Sequence, residues 1–168
     1  MANLKDCTKW NIHDDFYTRK QSWEQIKEYI PQDKVIWEFC LLNSNEQSKT
    51  YLQELGFNVV GDKTIDFFKH NLGEVLVSNI PFSTDLKQRM LRRLIELDKP
   101  FIIIMNSMNL FSKYFKEIFE GKDIYFIYPS SKINYDKYID DKLVATKNNT
   151  SFYSIYVCYK IINKNVWI

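Results

Sequence analysis

Glycine is scarce in this chain. Four occur in 168 residues, Gly56, Gly61, Gly73 and Gly121, and none belongs to a G-x-G-x-x-G or G-x-x-x-x-G-K-[ST] run. The glycine-rich fingerprints of dinucleotide and nucleoside-triphosphate sites are therefore missing. Histidine is rarer still, with only His13 and His70, and the three cysteines, Cys7, Cys40 and Cys158, stand far apart. Without a C-x-x-C pair or a His/Cys cluster, no metal site is expected. An odd number of dispersed cysteines, with no signal peptide read at the start, points to a reducing, cytoplasmic location. No apolar run approaches the ~18 residues of a membrane span, so no membrane partner is expected. Nothing repeats, and no low-complexity linker divides the sequence.

What is present is a globular composition. Hydrophobic residues make up 45%, charged residues 26% and aromatic residues a high 16%,. The length suits one domain over residues 1–168 with a full core. Residues 1–13 carry no period and are expected to be loosely ordered. The net charge of +2 permits a polyanionic partner without requiring one,. Lysine outnumbers arginine 19 to 4; together with the abundant Asn and Ile this fits an AT-rich genome and carries little functional weight.

Helical and strand patterns alternate. "QSWEQIKEYIP" reads as a helix with Ser22 and Gln25 as a capping box and Pro31 as its stop. "KVIWEFCLL" is an unbroken apolar run, as in a strand buried on both faces. "NSNEQSKTYLQELGF" reads as a helix capped by Ser44 and Gln47 and ended by Gly56. "FNVVGD" and "EVLVSN" read as strands. "DLKQRMLRRLIELDKP" is an amphipathic helix with Leu86, Met90, Leu91, Leu94, Ile95 and Leu97 grouped, and Lys87, Arg89, Arg92 and Arg93 opposite. "FIIIMN" is another buried strand, and "LFSKYFKEIFEG" a helix capped by Gly121. "DIYFIYP" and "SFYSIYVCYKII" are strands on either side of a polar, lysine-rich loop from Ser130 to Ser151. The expected fold is α/β: a mostly parallel central sheet, helices on both faces, and a C-terminal antiparallel hairpin at the sheet edge. Ligands of such sheets bind at the carboxyl ends of the strands, beside the topological switch point.

The strand ends therefore carry the candidate site residues. Glu38 follows the first strand. Asp62 follows the second, with Asp66, Phe67 and Phe68 close behind. A carboxylate there suits a ribose diol, because it accepts two hydroxyl hydrogen bonds; beside Gly61 it reads equally as a turn residue. Asn106 and Ser107 follow the "FIIIM" strand. The third strand ends in Asn79-Ile80-Pro81-Phe82. An extruded base needs acceptors for its exocyclic amine and a flat surface to stack on. The Asn79 side-chain oxygen and the Ile80 carbonyl offer the acceptors, Pro81 stiffens the turn, and Phe82 offers the ring. The plainer alternative is a strand-ending turn with Asn79 capping the backbone and Phe82 in the core.

"SNIPFS" resembles the N-P-P-F/Y motif of amino-group DNA methyltransferases, particularly the N6-adenine class. The surrounding order matches as well. "DDFYTRKQSWEQI" is similar to the segment that precedes strand one of that class, and "VIWEFC" to its strand one. "GFNVVGDKTIDFF" is similar to strand two with its acid-aromatic sequel, and "KPFIIIM" to a later core strand. The resemblance spans about Asp14 to Met105. It implies a Rossmann-like, class I fold dependent on S-adenosylmethionine. Phe16 and Thr18 would lie near the methionine moiety, with Glu38 also on the cofactor side. Asp62 would lie near the ribose, Asp66 and Phe67 near the cofactor adenine, and Asn79 to Phe82 at the target amine.

Two positions depart from the family pattern. Ile80 replaces the first proline, where a backbone carbonyl serves. The loop after strand one, "FCLLNSNEQS", has no glycine where the family passes its backbone against the cofactor. Two functions follow from this pattern: an S-adenosylmethionine-dependent DNA adenine-N6 methyltransferase, or an inactive module of the same fold that binds nucleic acid or a protein. Lys87, Arg89, Arg92 and Arg93 offer phosphate contacts to DNA, or form an ordinary solvated face. Lys132, Lys137, Lys142 and Lys147, interleaved with Tyr135 and Tyr138, offer a similar pattern. Trp10, Trp23, Trp37 and Trp167 read as packing residues.

Overall fold

Unbroken apolar runs can be satisfied only between two covered faces, and here they form the centre of one large sheet. The computed structural model describes residues 16–40, 46–139, 142–145 and 150–168. In chain order the elements are β1 (Tyr17–Thr18), α1 (Lys20–Glu24), β2 (Val35–Trp37), α2 (Gln47–Glu54), β3 (Asn58–Val60), β4 (Val75–Asn79) and α3 (Thr84–Leu97). They continue with β5 (Phe101–Asn106), α4 (Lys113–Phe119), β6 (Ile124–Tyr128), β7 (Tyr135–Ile139), β8 (Lys142–Ala145), β9 (Ser154–Tyr159) and β10 (Val166–Trp167). Two 3-10 turns, Lys27–Tyr29 and Ser107–Phe111, interrupt the connections.

Among the described residues the large sheet has the order β10-β6-β9-β5-β4-β2-β3. Every strand in it runs one way except β9, which is antiparallel to both β5 and β6. The chain enters at β2, steps out to β3, then returns past β2 to β4 and continues to β5, so the order reverses between β2 and β4. A smaller antiparallel sheet joins β1, β7 and β8.

Alternate side chains of β5 sort the core into two halves. Phe101, Ile103 and Met105 pack with Met90, Leu91 and Leu94 of α3 and Phe115, Ile118 and Phe119 of α4. Ile102 and Ile104 pack with Trp23 of α1 and Leu52 of α2. Helices thus cover both faces, α1 and α2 on one and α3 and α4 on the other.

Several sequence expectations are corrected. The capping box of Ser22 and Gln25 does not form, and α2 is capped at Glu46 rather than at Ser44. Arg19 and Glu46 are the N-caps of α1 and α2, both without a side-chain capping bond, and Ser22 lies inside α1. Ser44 lies outside the described residues. The helix expected over residues 21–31 is α1 followed by a 3-10 turn. The segment from Ser130 to Ser151, read as a loop, contributes β7 and β8. The C-terminal antiparallel strand is not at an edge, because β9 is inserted between β5 and β6 and the two-residue β10 takes the border. Lys87 does not share the exposed face of α3: it is buried, and its ammonium donates to Asn109 Oδ1 at 3.0 Å. Trp23 and Trp37 are core residues, but Trp167 is 77% exposed. Trp10, His13 and Cys7 lie outside the described residues.

Candidate binding site at the carboxyl ends of the central strands

The strand order reverses between β2 and β4, and in open α/β sheets the groups that meet a ligand lie outside the carboxyl ends of the strands at such a reversal. Each of the two apolar runs contains a single polar interruption there, Glu38 after β2 and Ser78 in β4. The fold brings them together: Ser78 Oγ donates a short hydrogen bond to Glu38 Oε1, which also accepts from Cys40 N at 3.0 Å. Glu38 is buried, and desolvation pushes its carboxyl up to about 7 against these stabilising bonds,. Gly61, at the end of β3, has φ +114°, and a Cβ there would press into the Glu38 carbonyl oxygen. The glycine is thus used by the chain's own backbone at the β2–β3 junction.

Asn79 ends β4, next to Ser78. Its Nδ2 donates to Phe16 O at 3.4 Å, whereas its Oδ1 is buried and has no hydrogen-bond partner among the described residues. An acceptor in that state raises the energy of the folded chain unless a donor reaches it. Phe82 packs edge-on against Phe16, with centroids 5.1 Å apart, and 5.0 Å from Phe152. Tyr135 lies 5.7 Å from Phe16 and donates through its hydroxyl to Ser154 Oγ at 2.7 Å. Lys137 Nζ stands 4.3 Å from the centroid of Phe16. Ile80 and Pro81 are buried, with Ile80 N bonded to Ile104 O at 3.3 Å. Thr18, on β1, is also buried, and its hydroxyl has no partner among the described residues.

No protein-family model matches this chain, and no curated protein does. The reading of the site therefore stands on its geometry. Among the described residues no group of His, Cys, Asp and Glu is placed to hold a metal ion, and no helix is long and apolar enough to cross a membrane.

The positions that the resemblance assigns to a cofactor are less uniform. Asp62 is partly exposed, and its Oδ1 accepts from Thr64 N at 2.7 Å and Thr64 Oγ1 at 2.5 Å. These bonds hold its carboxyl below the usual range. The turn reading is thereby realised, while Oδ2 has no hydrogen bond among the described residues. Asp66 caps a turn through Phe68 N at 2.9 Å, with Lys69 Nζ 3.6 Å from its Oδ2. Phe67 is buried, and one face of its ring is stacked on Phe39, with centroids 4.3 Å apart and planes 24° apart. Both oxygens of Asp66 are thus engaged by the chain itself, and one face of Phe67 is covered by Phe39.

Sequence reasoning found Glu38, Asn79 and Phe82, which the fold brings to one end of the sheet. It missed Ser78, whose signal was a lone hydroxyl inside an apolar strand. It also missed Phe152 and the stacking of Phe39, which no local pattern announces. The cationic residues of α3 are dispersed: Arg89 lies over Phe68 at 4.7 Å, and Arg93 pairs with Glu96 at 3.0 Å. Arg92 is exposed. Lys147 lies outside the described residues.

Proposed function

We propose that this chain has a Rossmann-like, class I methyltransferase fold and acts on the exocyclic amine of a DNA base, most simply adenine N6, with S-adenosylmethionine as its cofactor. The observation that carries the reading is the buried Asn79 Oδ1, left without a donor among the described residues, with its Nδ2 on the carbonyl of Phe16, whose ring packs on Phe82. Two further features support it: the strand order reverses next to Asn79, and one antiparallel strand sits in a sheet that is otherwise parallel. In this reading Asn79 Oδ1 and the Ile80 carbonyl accept the two amine protons and turn the nitrogen lone pair outward. Phe82 supports the base, and Pro81 fixes the turn between them. S-adenosylmethionine, when bound, supplies the methyl group. Asp62 holds the ribose diol through Oδ2, and Glu38 anchors the Asn79 strand through Ser78. Alignment of the amine replaces an early general base, consistent with the lack of a histidine among the described residues of the site.

A second reading has its own observation. Phe39 stacks on Phe67 where the cofactor adenine would be held, which favours a module of the same fold that binds nucleic acid or protein without catalysis. Calorimetric titration with S-adenosylmethionine and with its demethylated product separates the two. Micromolar binding that disappears in Asp62→Ala, followed by labelled methyl transfer to DNA that disappears in Asn79→Ala, is expected of the enzyme. Absence of heat at millimolar ligand would remove the enzyme reading for this chain.

A further inference from the structure

The 3-10 turn Ser107–Phe111 follows β5 at the same end of the sheet as Asn79. Asn79 is the register partner of Ile104, two residues before the turn begins at Asn106. The turn is unusually well fastened. Asn106 Oδ1 accepts from Met108 N at 2.9 Å, and Asn109 Nδ2 donates to Asn106 O at 2.7 Å. Asn109 Oδ1 accepts from the buried Lys87 ammonium and from Tyr114 Oη, and Ser112 Oγ donates to Asn109 O at 2.6 Å. Yet the side chains this rigid turn displays are apolar and outside: Met108 is 66% exposed and Phe111 83%. Ser107 N bonds to Tyr153 O at 2.8 Å, which ties to the turn the backbone of a third exposed apolar residue, Tyr153, 66% accessible. Tyr153 follows Phe152, and Phe152 touches Phe82. The exposed Tyr153 is thus the chain neighbour of a ring that packs at the Asn79–Phe82 corner.

Charge accompanies it. Lys132 Nζ lies 5.2 Å from the Tyr153 centroid, and Lys137 Nζ lies over Phe16. Lys132 Nζ also donates to the Thr150 carbonyl, and neither lysine takes part in an ion pair among the described residues. Exposed apolar groups, with the Lys132 ammonium beside one of them and Lys137 over Phe16 toward the corner, match a chain of unpaired bases on a phosphate backbone,. A protein partner would match the apolar residues but would not call for the two cations.

We infer that Met108, Phe111 and Tyr153 form a stacking platform for an unpaired DNA strand leading into the Asn79–Phe82 corner. This deepens the proposed function and rests on its base-binding corner. The platform would select single strands, or duplex ends already opened, because paired bases hide the faces that stack.

The test is fluorescence anisotropy with a fluorescein-labelled single-stranded DNA oligonucleotide, its duplex, and RNA of the same sequence. The single DNA strand is expected to bind most tightly, with affinity falling as salt rises. Phe111→Ala and Tyr153→Ala are each expected to weaken it about tenfold, with melting temperatures unchanged because both side chains are exposed. Equal binding of the duplex, tighter binding of the RNA, or affinities indifferent to both substitutions would overturn the inference. So would self-association of the wild type that the same substitutions abolish, since the platform would then be covered by a second copy. Stacking requires no cofactor, so calorimetry with S-adenosylmethionine and this assay can fail independently.

Discussion

Glu38 holds a carboxyl where solvent does not reach, and burial pushes its ionisation up to about 7. An ordinary carboxyl in the unfolded chain titrates near the usual range, so between that range and neutrality the folded chain binds the proton that the unfolded chain has lost. Folding then releases no proton and takes one up, and stability falls as pH rises through this window. Below it both states are protonated and the penalty vanishes. Above it the penalty is complete, at roughly 3 kcal/mol,. Urea unfolding midpoints at about pH 5 and about pH 8 should therefore separate more widely for the wild type than for Glu38→Gln, whose amide cannot ionise. Identical pH slopes for the two proteins would mean that water or a neighbouring donor already stabilises the charged form. Asn79 illustrates the same logic without a charge, since its buried Oδ1 has no partner among the described residues, an arrangement that costs stability until a donor reaches it,.

The junction between β2 and β3 shows which parts of an element the sequence announces. Gly56 and Gly61 both have positive φ, at +98° and +114°. Gly56 follows α2 and a Cβ there meets nothing within 4 Å, so Gly56→Ala is expected to cost only the conformational penalty of about 1 kcal/mol,. At Gly61 the added Cβ presses on the Glu38 carbonyl oxygen and approaches Trp37, so Gly61→Ala should cost several times as much and loosen the end of β2,. Chemical denaturation of the two variants side by side measures the difference, and equal costs would show that the β2–β3 junction yields freely. The glycine at a helix end was legible, because capping is local; the crowding at Gly61 was not, because it depends on a strand beside it. The same division runs through the fold. β4 and β5 were legible as central apolar strands; β9 was legible as a strand, but its place between β5 and β6 was not. β7 and β8 were not, because Lys137, Lys142 and their polar neighbours break the run and the pairing to β1 spans more than a hundred residues of chain. At the site, Asn79 and Phe82 were carried by one short motif, whereas the Phe39–Phe67 stack joins segments that look like independent strand and turn.

At the scale of the molecule the decisive strand comes late in the chain and sits in the middle of the sheet. β9 pairs with β5 through six residues and with β6 through four, and without it these two strands have no common neighbour. Ile155, Tyr156, Val157, Cys158 and Tyr159 are all buried. At about 1.5–3 kcal/mol for each large apolar side chain, their burial rivals the roughly 5–15 kcal/mol of net stability of an ordinary domain. A chain ending at Ser151 would also expose two unpaired apolar strand edges, which invite aggregation. The border strand β10 is different in kind: it has two residues, Trp167 is mostly exposed, and its last residue is tied by the Ile168 N bond to Tyr128 O at 3.0 Å. Removal of residues 166–168 should lower the unfolding free energy by about 1–2 kcal/mol and leave one cooperative transition. Removal of residues 152–168 should abolish the transition altogether, read as loss of near-ultraviolet circular dichroism and of the slowly exchanging β4 and β5 amides. If the shorter chain kept a cooperative transition and those protected amides, β4 and β5 would close a core without β9. Otherwise the Asn79 corner, which stands on β4, depends on a strand made some seventy residues later.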